Sequence, residues 1–156
     1  MRPMLAIPLL LALTGCQMAT IMGESSSPWF EAGPSGLPAA EVAAITKEMI
    51  LRQGYRLPPS GPDATRFLSE WQVTLSPHWR EGHRVRVEAE VFRTEERRGV
   101  FVRVRSQREV NNEAGKPTMA EHAQWMSASL DEKQKTKIDE PALKLHQLLR
   151  FKLETR

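Results

Sequence analysis

Cysteine is almost missing from this chain of 156 residues: Cys16 stands alone. One thiol excludes an intramolecular disulfide framework and a cysteine-built zinc cluster. An excess of either charge is missing too. Twenty-two basic residues against 19 acidic ones leave a net +3, which describes a mixed surface rather than a polycation. Eleven prolines and nine glycines without a period, in a chain that is 40% hydrophobic, exclude a collagen-like or wholly disordered polymer. The apolar run Leu5 to Leu13 falls far short of the ~20 residues a membrane-crossing helix needs, and Pro8 interrupts it.

The signatures of common catalytic sites are also lacking. There is no Gly-x-Gly-x-x-Gly, no P-loop and no Gly-x-Ser-x-Gly elbow. Among His78, His83, His122 and His146 no two stand three or four residues apart, the spacing of a metal pair on a helix. Ser76-Pro77-His78 and Glu121-His122 read as ordinary solvated neighbours. Glu88 and Glu90 share a strand face and invite a glycosidase reading, but acid catalysis needs a carboxyl with a raised pKa. Arginines opposite them would lower it. The expectation is therefore a protein that is not an enzyme, with no catalytic set, no metal and no cofactor beyond covalent lipid.

What is present begins at the amino terminus. Arg2, the short apolar core and the small residues before Cys16 are the parts of a secretory signal. The tetrad Leu13-Thr14-Gly15-Cys16 resembles the lipobox of bacterial lipoproteins. That resemblance implies diacylglycerol transfer to the Cys16 thiol and cleavage before Cys16, with Leu13, Thr14 and Gly15 recognised by the signal peptidase. Two or more acyl chains, at ~0.8 kcal/mol per buried CH₂, anchor a chain firmly without a protein span. Gln17 follows where Asp is the usual inner-membrane retention signal, so the resemblance points to the outer membrane, facing the periplasm.

Residues 16–36 then read as a lipidated cysteine with a flexible Gly/Ser/Pro tether, and residues 37–156 as one α+β domain. Within the tether, Trp29-Phe30 is expected to dock on the domain body. Pro38 suits the first turn of a helix whose apolar face carries Val42, Ile45, Met49 and the stem of Arg52, closed by Gly54. Tyr55-Arg56-Leu57 reads as a short strand. Period-two alternation predicts further strands at Trp71–Leu75, His83–Arg93 and Gly99–Val110. Met119–Met126 fits either a short helix or an edge segment around Trp125. A final helix is expected from Pro141, capped by Asp139, with Leu145, Leu148 and Leu149 on its face, although Leu149, Phe151 and Leu153 also fit a strand.

The two long strands predict a hairpin across Glu95–Arg98, and charge fixes its register. Pairing 94 with 99 places Glu90 opposite Arg103, Glu88 opposite Arg105, Arg84 opposite Glu109 and Phe92 opposite Phe101. Sliding by two residues sets Arg86 against Arg105. Opposite charges across strands help by ~0.2–1 kcal/mol each and like charges hurt similarly, so the first register is expected. The fold class is thus α+β: an antiparallel sheet of three to four strands with two helices on one face. This element order behind a lipobox is similar to that of small envelope lipoproteins, including the lipopolysaccharide-assembly lipoprotein that plugs an outer-membrane barrel.

Two functions follow as expectations. One is a membrane-anchored accessory subunit in contact with another envelope protein. The other is an anionic-lipid or lipopolysaccharide binder using Arg84, Arg86, Arg103 and Arg105. Nine arginines, six glutamates and no lysine lie between Trp79 and Val110, and the guanidinium fork suits phosphate. The same charges also make a self-neutralising sheet face, the plainer reading of the pattern. Nucleic acid is not an expected partner, because no patch of a single sign is evident.

Overall fold

The computed structural model describes residues 26–61, 64–76, 82–111, 123–127 and 132–155. Its elements run β1 (Phe30–Ser35), α1 (Ala39–Arg52), β2 (Arg66–Leu68), β3 (Gln72–Thr74), β4 (His83–Phe92), β5 (Val100–Asn111), β6 (Trp125–Ser127) and α2 (Glu132–Glu154). The class is the expected α+β, with six antiparallel strands rather than three or four. β4 and β5 form the centre. β1 and β6 pair with the free side of β5, and β2 and β3 with the free side of β4.

The β4–β5 register is the one that charge selects: Glu90 faces Arg103, Glu88 faces Arg105, Arg84 faces Glu109 and Phe92 faces Phe101. It puts Val87, Ala89 and Val91 beside Val102 and Val104 on one side of the sheet, all buried. Both helices cover that side. Val42, Ile45, Met49 and Ile50 of α1 and Leu145, Leu149 and Leu153 of α2 join the strand residues in a single core. Among the described residues, no helix covers the opposite side of the sheet.

α1 starts after Pro38 and ends as its sequence dictates. Gly54 takes φ +84°, its N–H donates to Leu51 O at 2.9 Å, and Tyr55 N–H reaches back to Ile50 O at 3.3 Å. This is a Schellman closure, in which glycine supplies the left-handed conformation. Arg52 is not part of the apolar face. It pairs with Glu48 in solvent at 2.6 Å, and Ile50 takes the buried position.

Four expectations need correction. The stretch read as tether is structured from Ser26 onward: Ser27 exchanges hydrogen bonds with Ser106, and β1 pairs with Val100–Val104. Phe30 and Ala32 drive this by packing on the core, which outweighs the turn-forming composition of Gly33–Ser35. Tyr55–Leu57 is not a strand; Arg56 O accepts one bond from Glu70 N–H, 2.8 Å, and the edge pairing falls to Arg66–Leu68 instead. The strand expected at Trp71–Leu75 shortens to Gln72–Thr74, and its register sets Val73, 41% exposed, beside Arg84 on the uncovered side. Finally, α2 begins at Glu132, and Pro141 lies within it. Proline removes one helical hydrogen bond, but Ile138 and Ala142 on either side are fully buried. The Ser106 hydroxyl also donates to Ile138 O just before the interruption. Trp125–Ser127 adopts the edge-segment alternative.

Leu145 has no solvent exposure and sits where α2 meets the sheet. Leu145→Ala is expected to cost about 2–5 kcal/mol through lost burial and the cavity left behind. Urea unfolding should show the midpoint falling with little change in slope.

Candidate functional site

The uncovered face of the sheet is where the arginines singled out from sequence converge. Alternation along β4 and β5 points Arg84, Arg86, Arg103 and Arg105 to this side, and each already has an acceptor. Arg84 Nε donates to Glu109 at 2.6 Å, Arg103 Nε to Glu90 at 2.8 Å and Arg105 Nε to Glu88 at 2.7 Å. Arg86 Nε donates to the side-chain carbonyl of Gln107 at 2.6 Å. The structure thus brings the four together with their hydrogen-bonding forks aimed at their own neighbours.

Aromatic rings hold the other side of these guanidinium groups. Trp71 lies 4.5 Å from Arg84 and 4.3 Å from Arg86, and Trp125 lies 5.1 Å from Arg84. Trp29 lies 4.7 Å from Arg103 and 4.5 Å from Arg105. At the hairpin end Arg97 covers Phe101 at 4.1 Å and pairs with Glu31 at 2.5 Å, while Phe92 stacks on Phe101. Each cation–ring contact is worth roughly 0.5–1 kcal/mol at an exposed site. Three tryptophans from three edge regions are therefore locked in place by arginines of the central hairpin. Sequence reasoning expected Trp29 to dock on the domain body, as it does, but did not bring the three tryptophans together on this face. The signal was parity: Trp29 alternates with the core residue Phe30, and Trp71 shares a side with Val73.

Glu88 is the charge at the centre of the lattice, 3% exposed. Arg105 binds one carboxylate oxygen, and Arg66 of β2 binds the other through Nε at 2.8 Å and through its terminal nitrogen. With Trp29 beyond Arg105, the row Arg66–Glu88–Arg105–Trp29 crosses the sheet from β2 to the start of β1. Burial alone would raise the Glu88 pKa, but the hydrogen bonds from Arg66 and Arg105, with their charges, outweigh it and hold the carboxyl below its usual 4.5. A lowered carboxyl is the opposite of what acid catalysis requires. Glu31 is also lowered, chiefly by its hydrogen bond from Arg97.

Leu13, Thr14, Gly15 and Cys16 lie outside the described residues, as do His78 and His122. Among the described residues, no cluster of three metal-ligating side chains occurs, and no helix is long and apolar enough to cross a membrane. No protein-family model matches this chain, and no curated protein matches it.

Because the folded pKa of Glu88 lies below its unfolded value, its contribution to stability is complete above about pH 4.5 and is lost as pH falls through the folded value. Glu88→Gln should therefore destabilise the protein by about 1–3 kcal/mol at pH 7, tempered by the solvent around Arg66. The penalty should shrink in acid. Chemical denaturation of both proteins from pH 7 down to pH 3 checks this; parallel stability curves would contradict it.

Proposed function

We propose that this protein is a lipid-anchored subunit of the bacterial envelope that works by protein–protein contact rather than by catalysis. The Leu13-Thr14-Gly15-Cys16 pattern supports the anchor. The observation that carries the interaction role is the sheet face that no described helix covers, on which Trp29, Trp71 and Trp125 are clamped by Arg84, Arg86, Arg103 and Arg105. Tryptophan and arginine are the residues most enriched where binding energy concentrates in protein interfaces. Clamped in advance, these side chains lose little rotamer freedom on docking.

The face suits a protein better than a polyanion. An incoming phosphate would have to compete with carboxylates already bonded to Arg84, Arg103 and Arg105. Exposed apolar side chains, Leu68 and Val73, adjoin the arginines on the same side, and they favour a partner that supplies an apolar surface of its own. The anchor gives such a partner a fixed address, at or near the membrane that holds the acyl chains.

Intact-mass analysis of protein from the native host should find a chain that begins at Cys16 and carries acyl lipid, and Cys16→Ser should abolish the modification. A photo-crosslinking residue at Leu68 should give a discrete protein adduct, whereas the same residue at Lys47, exposed on α1, should not. Trp71→Ala should reduce that adduct about tenfold or more. A free, unacylated chain would overturn the anchor, and equal crosslinking from both positions would overturn the interaction face.

A further inference from the structure

Among the described residues, most arginines of the sheet and its hairpin bind an acceptor and a few do not; Arg108 has none for its Nε, but it is buried. Arg66, Arg84, Arg97, Arg103 and Arg105 each bind a glutamate, and Arg86 binds Gln107. Arg93 and Arg98 meet no acceptor among the described residues, and both are exposed. These two line one groove of about 460 Å³ at the tip of the β4–β5 hairpin, opposite Ser35 and Leu37 of the β1–α1 connection. The sequence pattern gave no hint of this distinction, because Arg97 and Arg98 are adjacent and differ only in what the fold sets beside them.

The groove has a fixed shape. Gly99, with φ +106°, lets the hairpin lie directly against β1: a Cβ there would stand 2.8 Å from Pro34 Cβ and 3.1 Å from Ser35 O. On the hairpin side, Arg97 N–H donates to Thr94 Oγ1 at 3.1 Å, and the Arg97 guanidinium is pinned to Glu31. Contacts within the protein thus hold both walls, while Arg93 and Arg98 have no acceptor among the described residues. Guanidinium pairs bind planar or tetrahedral oxyanions through two parallel hydrogen bonds.

We propose that this hairpin-tip groove binds an oxyanion, a phosphate or carboxylate group held by Arg93 and Arg98. Glu95 lies on the same rim. Its negative charge selects against a densely charged polyanion and for a single oxyanion with a hydroxyl or amine beside it, which the carboxylate accepts. The site is separate from the tryptophan–arginine face and does not depend on the anchor. It is also remote from Ser26, the first described residue. β1 runs from its join with the preceding chain near Gln107 toward Val100, so the groove lies at the other end of the strands.

The test uses the full chain carrying Cys16→Ser, which keeps an acyl anchor from masking weaker binding. Inorganic phosphate added to isotope-labelled protein should shift the amide signals of Gly36, Thr94 and Gly99 in a saturable way. The Arg84 and Arg105 signals should stay still. Arg93→Gln and Arg98→Gln should each weaken the response about tenfold, the loss of one charge-assisted contact. Glu95→Gln should strengthen it about threefold, and this arm stands even where an arginine variant folds poorly. Flotation with vesicles of phosphatidylglycerol in phosphatidylcholine separates the sources of the oxyanion. Binding that depends on Arg93 and Arg98 assigns a lipid headgroup, and phosphate binding without flotation assigns a free ligand. No saturable response to either probe, or a response indifferent to all three substitutions, overturns the proposal.

Discussion

The antiparallel pairing of His83–Phe92 with Phe101–Val110 is the constraint on which the other elements depend. Ten consecutive residue pairs commit each side chain of the two strands to one side of the sheet, because a slip of one residue would exchange the faces entirely. A slip of two would keep the valines in place, and only the charges oppose it. The hydrophobic pattern therefore selects the side and the electrostatic pattern selects the alignment. Once both are satisfied, the valine side demands a cover, which α1 and α2 supply, and the arginine–glutamate side is stable in water without one.

Each side of the hairpin then recruits its edges differently. On the covered side β1 is held by Phe30 and Ala32 in the core, and α2 is tied to it through His146, whose Nε2 donates to Glu31 O at 2.8 Å. On the open side the edges are held by arginine. Trp29, Trp71 and Trp125 come from segments far apart in sequence, and each is positioned by guanidinium groups of β4 or β5. The open face is accordingly held by polar and aromatic contacts in place of apolar ones. A charged residue is nearly fully enclosed there: Glu88 is compensated from two strands at once, the condition under which burial of a carboxylate is tolerated.

Much of this was legible in the sequence where two independent signals agreed. Alternation and charge complementarity together gave the central hairpin and its register. Helical spacing together with Gly54 gave α1 and its closure. Single signals misled. The composition of Gly33-Pro34-Ser35 reads as linker, and only the adjacent aromatics Trp29 and Phe30 betray a strand. Pro141 reads as a helix start because a proline is well tolerated at that position, whereas here the buried pair Ile138 and Ala142 carries the helix through it. The alternation of Trp71 and Val73 has the strand period but says nothing of which side faces inward; pairing with Arg84 decides that. The candidate site was half legible. The four arginines could be placed on a common face, but whether a guanidinium is occupied or available depends on neighbours that only the fold assembles.

The edges of the sheet carry one more consequence. β2, β3 and β6 are three residues long each, and the register of β1 shifts between Ala32 and Ser35. Such borders offer few consecutive free amides and carbonyls to a neighbouring strand. A long continuous border would instead present a template on which another chain could add a strand. A margin broken into short pieces leaves a second copy of the chain little continuous backbone to pair with.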